Sequence, residues 1–296
     1  MPLTPHTCPQ CGAEARPALK SRDINQGLGD TEFQYWRCSG CGTVFLENVP
    51  ADLERYYPAQ YYSVAGSESE LAQWSTRERY KIELVARFKN KGLLIEVGPG
   101  SGGFCYLAKK AGFQVLAIEM DRRASEFLAK TLKIDVVNST DEAVALRNAP
   151  AADVIVMWHV IEHLVDPWAM FEVAAAKLKP GGILVVSAPN PAALQLGVFG
   201  GRWVHLDAPR HLWLIPPEVL KKRGQKAGLA HRLLTTRDAG SLFWNRFGWR
   251  HSLENGLGMP RRLAQVGSYA LTLAAAPFER REGHGSAYTL VMEKTA

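Results

Sequence analysis

A chain of 296 residues, 47% hydrophobic and 22% charged, has the make-up of an ordinary globular protein with room for one large domain or two modest ones. Its net charge of +6 is mild and scattered, so nucleic acid is an unlikely partner, and the clusters at 221–223, 261–262 and 280–281 read as solvated surface. The first residues lack the apolar core of a signal peptide. The longest nearly uncharged run, 263–277, falls short of the roughly 20 residues of a membrane span, so a cytoplasmic protein without a transmembrane segment is expected.

Residues 1–50 carry CPQCG and CSGCG, a C-x2-C-x26-C-x2-C pattern. In a cytosolic protein, paired knuckles of this spacing predict one structural zinc held by Cys8, Cys11, Cys38 and Cys41, with no open position for chemistry. Gly12 and Gly42 suit the tight turns that point amides at sulfur, and FQYW at 33–36 suits a strand of a zinc ribbon. Loss of the metal is expected to loosen this ribbon and leave the rest of the fold intact. The fifth cysteine, Cys105, reads as a packed small hydrophobe. Residues 51–91 form a linker in which Tyr56, Tyr57, Tyr61 and Tyr62 surround Pro58, either packing the ribbon or lining an entrance. A helix is expected over 70–90.

From residue 92 the pattern becomes strand, glycine loop, helix. Leu93–Val97 is a short apolar run, Gly98, Gly100, Gly102 and Gly103 follow, and an amphipathic helix comes next. The glycines satisfy GxGxxG and GxGxG alike, so they do not choose the ligand; Glu119, at the end of the second strand, stands where a ribose diol is held. Further strands are expected at 134–137, 153–157 and 183–187, the last entered through the KPGG turn. Asp121 and Asp166 are expected helix caps, and Ser139 with Glu142 an expected capping box. This alternation predicts an α/β fold with a parallel sheet, its ligand crevice at the carboxyl ends of the strands, beside the glycine loop and the 158–166 loop.

The segment WHVIEHLVDP contains the HxxEH string of inverted zinc peptidases, but it follows a strand rather than lying on a long helix. Its neighbours explain it better. IEVGPGSGGF, AIEMD, ADVIVMWHVIEHLVDP and LKPGGILVVSAPN together resemble the motifs of class I S-adenosylmethionine-dependent methyltransferases, in the branch of the ubiquinone-biosynthesis O-methyltransferases, here with an N-terminal zinc ribbon. The resemblance implies a Rossmann-like seven-stranded sheet over 92–296, with S-adenosylmethionine as cofactor. It implies that Gly98, Gly100 and Gly102 let backbone approach the methionine moiety, that Glu96 helps fix that loop, and that Glu119 binds the ribose. Met120 would pack on adenine, Asp141 would face its amino group, and Trp158 and His159 would close the site. In some relatives, positions matching His159, Glu162 and His163 hold a divalent ion; histidine at the first of these leaves metal dependence open.

Beyond Asn190, residues 197–217 read as a substrate-facing loop carrying His205, Asp207, Arg210 and His211. Asp207 is expected to orient an imidazole, Arg210 to hold an anionic acceptor, and His211, then His163, to act as general base. Strands at 229–236 and 287–293 are expected to complete the sheet, the last antiparallel. The apolar, aromatic and basic insertion at about 240–285 reads as a lid, a dimer face or a membrane-surface contact. The expected activity is methyl transfer, most plausibly to oxygen, of a small-molecule acceptor such as a sugar, quinone or lipid-linked precursor. The alternatives are a zinc-ribbon RNA methyltransferase and, third, an NAD-dependent oxidoreductase. The sequence does not give the oligomeric state.

Overall fold

The structure is a computed structural model that describes residues 6–58, 61 and 63–295. The N-terminal strands β1 (His6–Thr7), β2 (Glu14–Ser21), β3 (Phe33–Cys38) and β4 (Val44–Leu46) form an antiparallel ribbon. The linker then leads into helices α1 (Glu68–Ser75) and α2 (Arg79–Ala86). The single helix expected over 70–90 is therefore two helices joined by a 3-10 turn at Thr76–Glu78.

The main sheet follows in β/α units. These are β5 (Leu93–Val97), α3 (Gly103–Lys110), β6 (Gln114–Glu119), α4 (Arg122–Phe127), β7 (Asp135–Asn138), α5 (Glu142–Asn148), β8 (Ala152–Trp158), α6 (Pro167–Lys177) and β9 (Leu178–Pro189). Residues 190–216 contain α7 (Leu194–Phe199) and the short strand β10 (Trp213–Leu214). The chain ends with α8 (Pro217–Lys226), β11 (Leu229–Thr235), α9 (Ala239–His251), α10 (Arg261–Glu279) and β12 (Ala287–Lys294). The seven strands run in the order β11-β12-β9-β8-β5-β6-β7, parallel except for β12, which is antiparallel to both neighbours. Such a strand is buried on both faces, which is why β5 and β8 are nearly continuous apolar runs; Leu94, Ile95, Val97 and Val154–Met157 are fully buried.

The caps follow the side chains. Asp121 accepts from the amide of Ala124, and Asp166 accepts from Trp168 and Ala169 with Pro167 opening α6. The expected capping box is corrected: Asp141, not Ser139, accepts from Val144 and caps α5, while Ser139 Oγ bonds back to Asp141. Carboxylate and hydroxyl stand two residues apart here, and the charged acceptor wins the helix N-terminus. The KPGG stretch lies within β9 as an irregular segment, with Gly181 at φ +72°, between Leu178 and Ile183, which pair with Ala152 and Val154 of β8.

The ribbon is not a detached bead. β10, from after β9, adds a fifth strand to its sheet, with Trp213 opposite Phe45. Its apolar residues Tyr35, Trp36, Val44 and Phe45 are continuous with the core on one face of the main sheet. Tyr35 donates its hydroxyl to the carbonyl of His211 at 2.9 Å. Gly201 lies so close to the carbonyl of Lys20 that any side chain there would collide.

One ion cluster joins the two parts. The fully buried guanidinium of Arg210 donates to both oxygens of Asp23 (2.6 and 3.2 Å), both oxygens of Asp207 (2.6 and 2.9 Å) and the carbonyl of Tyr56 (3.0 Å). All five of its N–H groups are thereby used. This corrects the expectation that Arg210 holds an anionic acceptor: its charge is already neutralised and it is sealed from solvent. Burial pushes the Asp207 carboxyl up, but Arg210 overrides this and brings it to about 2.

Arg210→Leu would leave two carboxylates facing each other in a dry site. It is expected to cost about 3–5 kcal/mol of unfolding free energy in a denaturant titration. The share of stability owed to Asp207 is complete above its ordinary value of 3.8 and is lost as pH falls through about 2, so an acid titration of the wild type is expected to weaken between those limits and that of the variant to lack the component.

Candidate active site

The chain winds from β5 outward through β6 and β7, then returns to β8 and β9 on the other side, so the crevice opens between the carboxyl ends of β5 and β8. A cavity of about 1300 Å³ lies there. That exceeds the usual volume of roughly 300–1,000 Å³ for one small ligand, so a cofactor and a second molecule fit together.

The glycine loop forms the cavity's floor. Gly98, Gly100 and Gly102 all hold positive φ (64°, 54° and 82°), a region that glycine enters without penalty. A Cβ on Gly98 would stand 2.7 Å from Val160 Cγ2, and one on Gly102 would collide with Leu128. Gly98, Gly100, Met120, Asp141, Trp158 and His159 line the cavity, as does Glu119, whereas Glu96 and Gly102 are not in its wall. Glu119 is buried and braces the loop: one oxygen accepts from the amide of Gly100 at 2.9 Å, the other from Asp121 at 2.7 Å. Burial raises its pKa, and these amides oppose the rise. Glu96 lies behind the loop, accepts from the Cys105 thiol at 2.9 Å, and is pushed by burial to about 7. Cys105 is thus a buried donor to Glu96 as well as a packed side chain.

The opposite wall is built from β8 and the 197–217 loop. His159 leaves β8 with φ +56°, and Asp207 has φ +38°; outside glycine such conformations are rare and cost energy. Both residues are in the cavity wall. His159 Nδ1 lies 3.2 Å from Glu162 Oε1, and its ring packs edge-on to Trp244. Glu162 is fully buried, and its second oxygen has no partner among the described residues. His163 Nδ1 lies 3.1 Å from the carbonyl of Arg210 and 3.0 Å from the hydroxyl of Tyr57. Burial and the neighbouring His211 bring His163 down to about 4. His205 donates to the carbonyl of Trp244 at 2.9 Å and is lowered by burial to about 3. His211 packs edge-on to His163, with centroids 4.5 Å apart, and its Nδ1 lies 2.8 Å from the carbonyl of His205. A carbonyl can only accept, so Nδ1 carries a proton, and in the neutral ring the lone pair is on Nε2. Asp207 Oδ2 is 3.9 Å from that Nε2; its primary bonds go to Arg210, so it orients His211 only weakly.

The sequence profile described as "Methyltransferase domain" matches residues 73–233, more than half of the chain. The ubiquinone biosynthesis O-methyltransferase of Cereibacter sphaeroides is 30% identical over 183 residues, 58% of this chain and 72% of that one. Its counterpart in Rhodopseudomonas palustris is 31% identical over 163 residues, 51% of this chain and 61% of that one. This chain belongs to the S-adenosylmethionine-dependent methyltransferases. Among solved structures, phosphoethanolamine N-methyltransferase 2 of Haemonchus contortus, in complex with S-adenosyl-L-methionine, aligns over 99% of this chain and 71% of its own, with TM-score 0.53 and 14% identity. An O-methyltransferase family protein of Burkholderia thailandensis aligns over 83% and 63%, with TM-score 0.51 and 11% identity. At such identities these two carry the fold alone. S-adenosylmethionine is therefore the methyl donor.

Several residues of the methyltransferase's cavity wall come from segments far from β5 and β8 in sequence. Asn25 and Gln26 reach it from the ribbon, Leu53, Tyr57 and Tyr61 from the linker, and Trp244 and Phe247 from α9. Asn25 donates to Asp207 Oδ1 at 2.5 Å and to the carbonyl of Val204 at 2.9 Å, across more than 170 positions of chain. The tyrosines of the linker divide: Tyr56 is buried against Phe33, while Tyr57 and Tyr61 line the cavity. Tyr62 lies outside the described residues.

At the other end of the ribbon, the sulfurs of Cys8, Cys11, Cys38 and Cys41 all lie within 4.8 Å of one another. Gly12 and Gly42 hold φ +74° and +76°, and their amides close the knuckles onto the carbonyls of Cys8 and Cys38. The amides of Gly40 and Cys41 are aimed at sulfur, each 3.3 Å from Cys38 Sγ. Burial raises the Cys38 thiol, but these donors outweigh it and bring the group to about 7.

Gly98→Ala adds a Cβ to a left-handed residue already in contact with Val160. It is expected to cost about 1–2 kcal/mol of stability from the backbone alone and to weaken S-adenosylmethionine by roughly tenfold or more, measured by thermal unfolding and calorimetry.

Proposed function

We propose that this methyltransferase transfers a methyl group to an oxygen of a small-molecule acceptor, a sugar, quinone or lipid-linked precursor, with His211 as general base. The observation that carries this reading is the tautomer of His211. Its Nδ1–H is committed to the carbonyl of His205, so Nε2 presents a lone pair in a cavity that also contains the glycine loop. The relatives named for ubiquinone biosynthesis carry O-methyltransferase in their names, which supports oxygen as the acceptor atom.

When bound, S-adenosylmethionine supplies an electrophilic methyl for in-line displacement from sulfur. Alignment of the acceptor oxygen with that methyl can contribute much of the rate, and the chain's task is to hold it. In this reading the amides of the glycine loop face the methionine part, Glu119 takes the ribose diol, Met120 covers the adenine, and Asp141 faces its amino group. Trp158 and His159 close the donor end, and Glu96 supports the loop from behind. His211 removes the acceptor proton at Nε2. The imidazolium that forms faces Asp207 at 3.9 Å, and the carboxylate of Glu162 is within 4.8 Å of it, so its charge is compensated. His163 stays neutral at pH 7 and packs against the base. With no helix of the described residues long and apolar enough to cross a membrane, the expected cytoplasmic location stays part of this reading.

A structural zinc in the ribbon belongs to the same reading. A zinc–sulfur bond of about 2.3 Å sets tetrahedral sulfur–sulfur edges of about 3.8 Å. Cys8 and Cys41 are 3.8 Å apart and Cys11 and Cys38 3.4 Å, which supports four thiolates around one ion. A second reading concerns the histidine cluster. Glu162, His163 and His211 each offer a ligand atom within 4.8 Å of the others, and Glu162 keeps one buried oxygen without a partner, so a divalent ion fits these three residues. Such an ion would polarise the acceptor hydroxyl in place of a base. Turnover that survives chelation supports His211 as the base; turnover that collapses and returns only with added magnesium or manganese supports the ion.

Fresh protein is expected to carry one zinc by metal analysis, and Cys38→Ala to lose it; because Arg210 and β10 join the ribbon to the cavity, that variant is expected to lose turnover as well. Calorimetry is expected to show binding of S-adenosylmethionine but not NAD. Glu119→Ala should weaken the former by about 1.5–3 kcal/mol. His211→Ala should lower turnover by about 10²–10⁴-fold with donor affinity nearly unchanged.

A further inference from the structure

Helix α10 is built inside out. The positions it turns towards the protein are small, with Ala264, Ser268 and Ala275 buried. The large apolar side chains point the other way: Leu263, Val266, Tyr269, Leu273 and Phe278 are each more than half exposed, and so is Phe243 on the neighbouring helix α9. Scattered exposed hydrophobics need no explanation, but a row of them along one face of a 19-residue helix, about 28 Å long, does.

Charge says what this face suits. Between 239 and 281 there are six arginines and two glutamates and no other ionised side chain except histidine. One glutamate, Glu279, is buried; the other, Glu254, stands near Arg250 and in the cavity wall. No charge interrupts 263–278, and arginine pairs stand at both ends: Arg261 and Arg262 before it, Arg280 and Arg281 after it. That arrangement disfavours a second copy as the occupant. Antiparallel pairing of two such helices sets Arg261 and Arg262 of one against Arg280 and Arg281 of the other, and parallel pairing sets each pair against itself. An anionic bilayer surface accepts both features at once, the apolar row entering the headgroup boundary and the arginines meeting phosphates. The same hairpin reaches the cavity, since α9 places Trp244 and Phe247 in its wall and Phe243 outside.

We infer that α10, with the outer face of α9, is a docking surface for an anionic lipid bilayer, holding the cavity one helix away from the membrane. The full chain is tested by co-sedimentation with vesicles of phosphatidylcholine alone and with about 30% phosphatidylglycerol. Binding to the anionic vesicles is expected to exceed that to the neutral ones roughly tenfold and to fall in about 0.5 M salt. The triple variant Leu263→Asp, Val266→Asp, Leu273→Asp alters only exposed positions, so circular dichroism should be unchanged while vesicle binding is lost. Replacing the four terminal arginines with glutamine should abolish the preference for anionic lipid. Failure to sediment with either vesicle, or undiminished sedimentation of the triple variant, would overturn the inference. So would light scattering that finds a dimer in the wild type and a monomer in the triple variant, since the face would then belong to a second copy. Binding is read without turnover, so the result is independent of the methyl-transfer reading.

Discussion

The placement of this cavity depends on one buried guanidinium. Arg210 uses all five donors on Asp23, Asp207 and the carbonyl of Tyr56, which come from the ribbon, its own loop and the linker. A buried charge is tolerated only when it is paired and its hydrogen bonds are complete, so these three segments must arrive together or not at all. Several features follow from that. The main chain of residues 205–211 is held taut enough for Asp207 to keep a left-handed conformation, Asn25 reaches Asp207 from the ribbon, and the carbonyls of His205 and Arg210 are set to receive the Nδ1 protons of His211 and His163. The tautomers of both histidines are thereby tied to a cluster whose guanidinium is sealed from solvent and whose Asp207 stands in the cavity wall.

The two ends of the cavity are held by different means. At the glycine-loop end, backbone conformation shapes the wall: glycines hold positive φ, and Glu119 ties Gly100 to Asp121. At the other end, side chains on segments distant in sequence converge, and the dryness of the site keeps their chemistry neutral. Burial depresses His163 and His205 well below the usual histidine value, while the bond to His159 brings the Glu162 carboxyl below its ordinary value against its own burial. A carboxylate retained in such surroundings stabilises any positive charge that develops beside it, whether an imidazolium or a metal ion.

How much of this is legible in the sequence depends on range. The strand, glycine loop, helix and Glu119 sit within about thirty residues and obey local rules, so the fold class and the glycine-loop end of the cavity can be read directly. Asp121 and Asp166 are read as caps for the same reason; Ser139 is misread because Asp141, two residues on, competes for the same amides. The break between α1 and α2 is not legible, because the apolar spacing continues through it. Arg210 is misread for a deeper reason. Among histidines, glycines and prolines an arginine looks available to a ligand, and only the fold brings Asp23 from 187 positions away to neutralise it. The contribution of Asn25 is invisible for the same cause, and Tyr57 and Trp244 are legible only as open alternatives, because no spacing rule connects the ribbon, the linker or α9 to the end of β8.

That division has a consequence for what kind of enzyme this is. The family match, residues 73–233, contains the glycine loop, Glu119, His159, Glu162, His163 and His211, the parts proposed to hold the donor and to supply the base. Asn25, Gln26, Tyr57, Tyr61, Trp244 and Phe247 fall outside it, and all of them are in the cavity wall. On that proposal the chemistry sits on the matched part of the chain, and much of the surface an acceptor would meet sits outside it. A ribbon that served only as a stabilising clip could dock anywhere on the sheet. This one is joined through Arg210 and β10 to the loop bearing His211, so its attachment and the shape of the acceptor end are one structural fact. Changes in acceptor among chains of this architecture are therefore expected to map to the ribbon, the linker and α9 before they map to the glycine loop or the histidines.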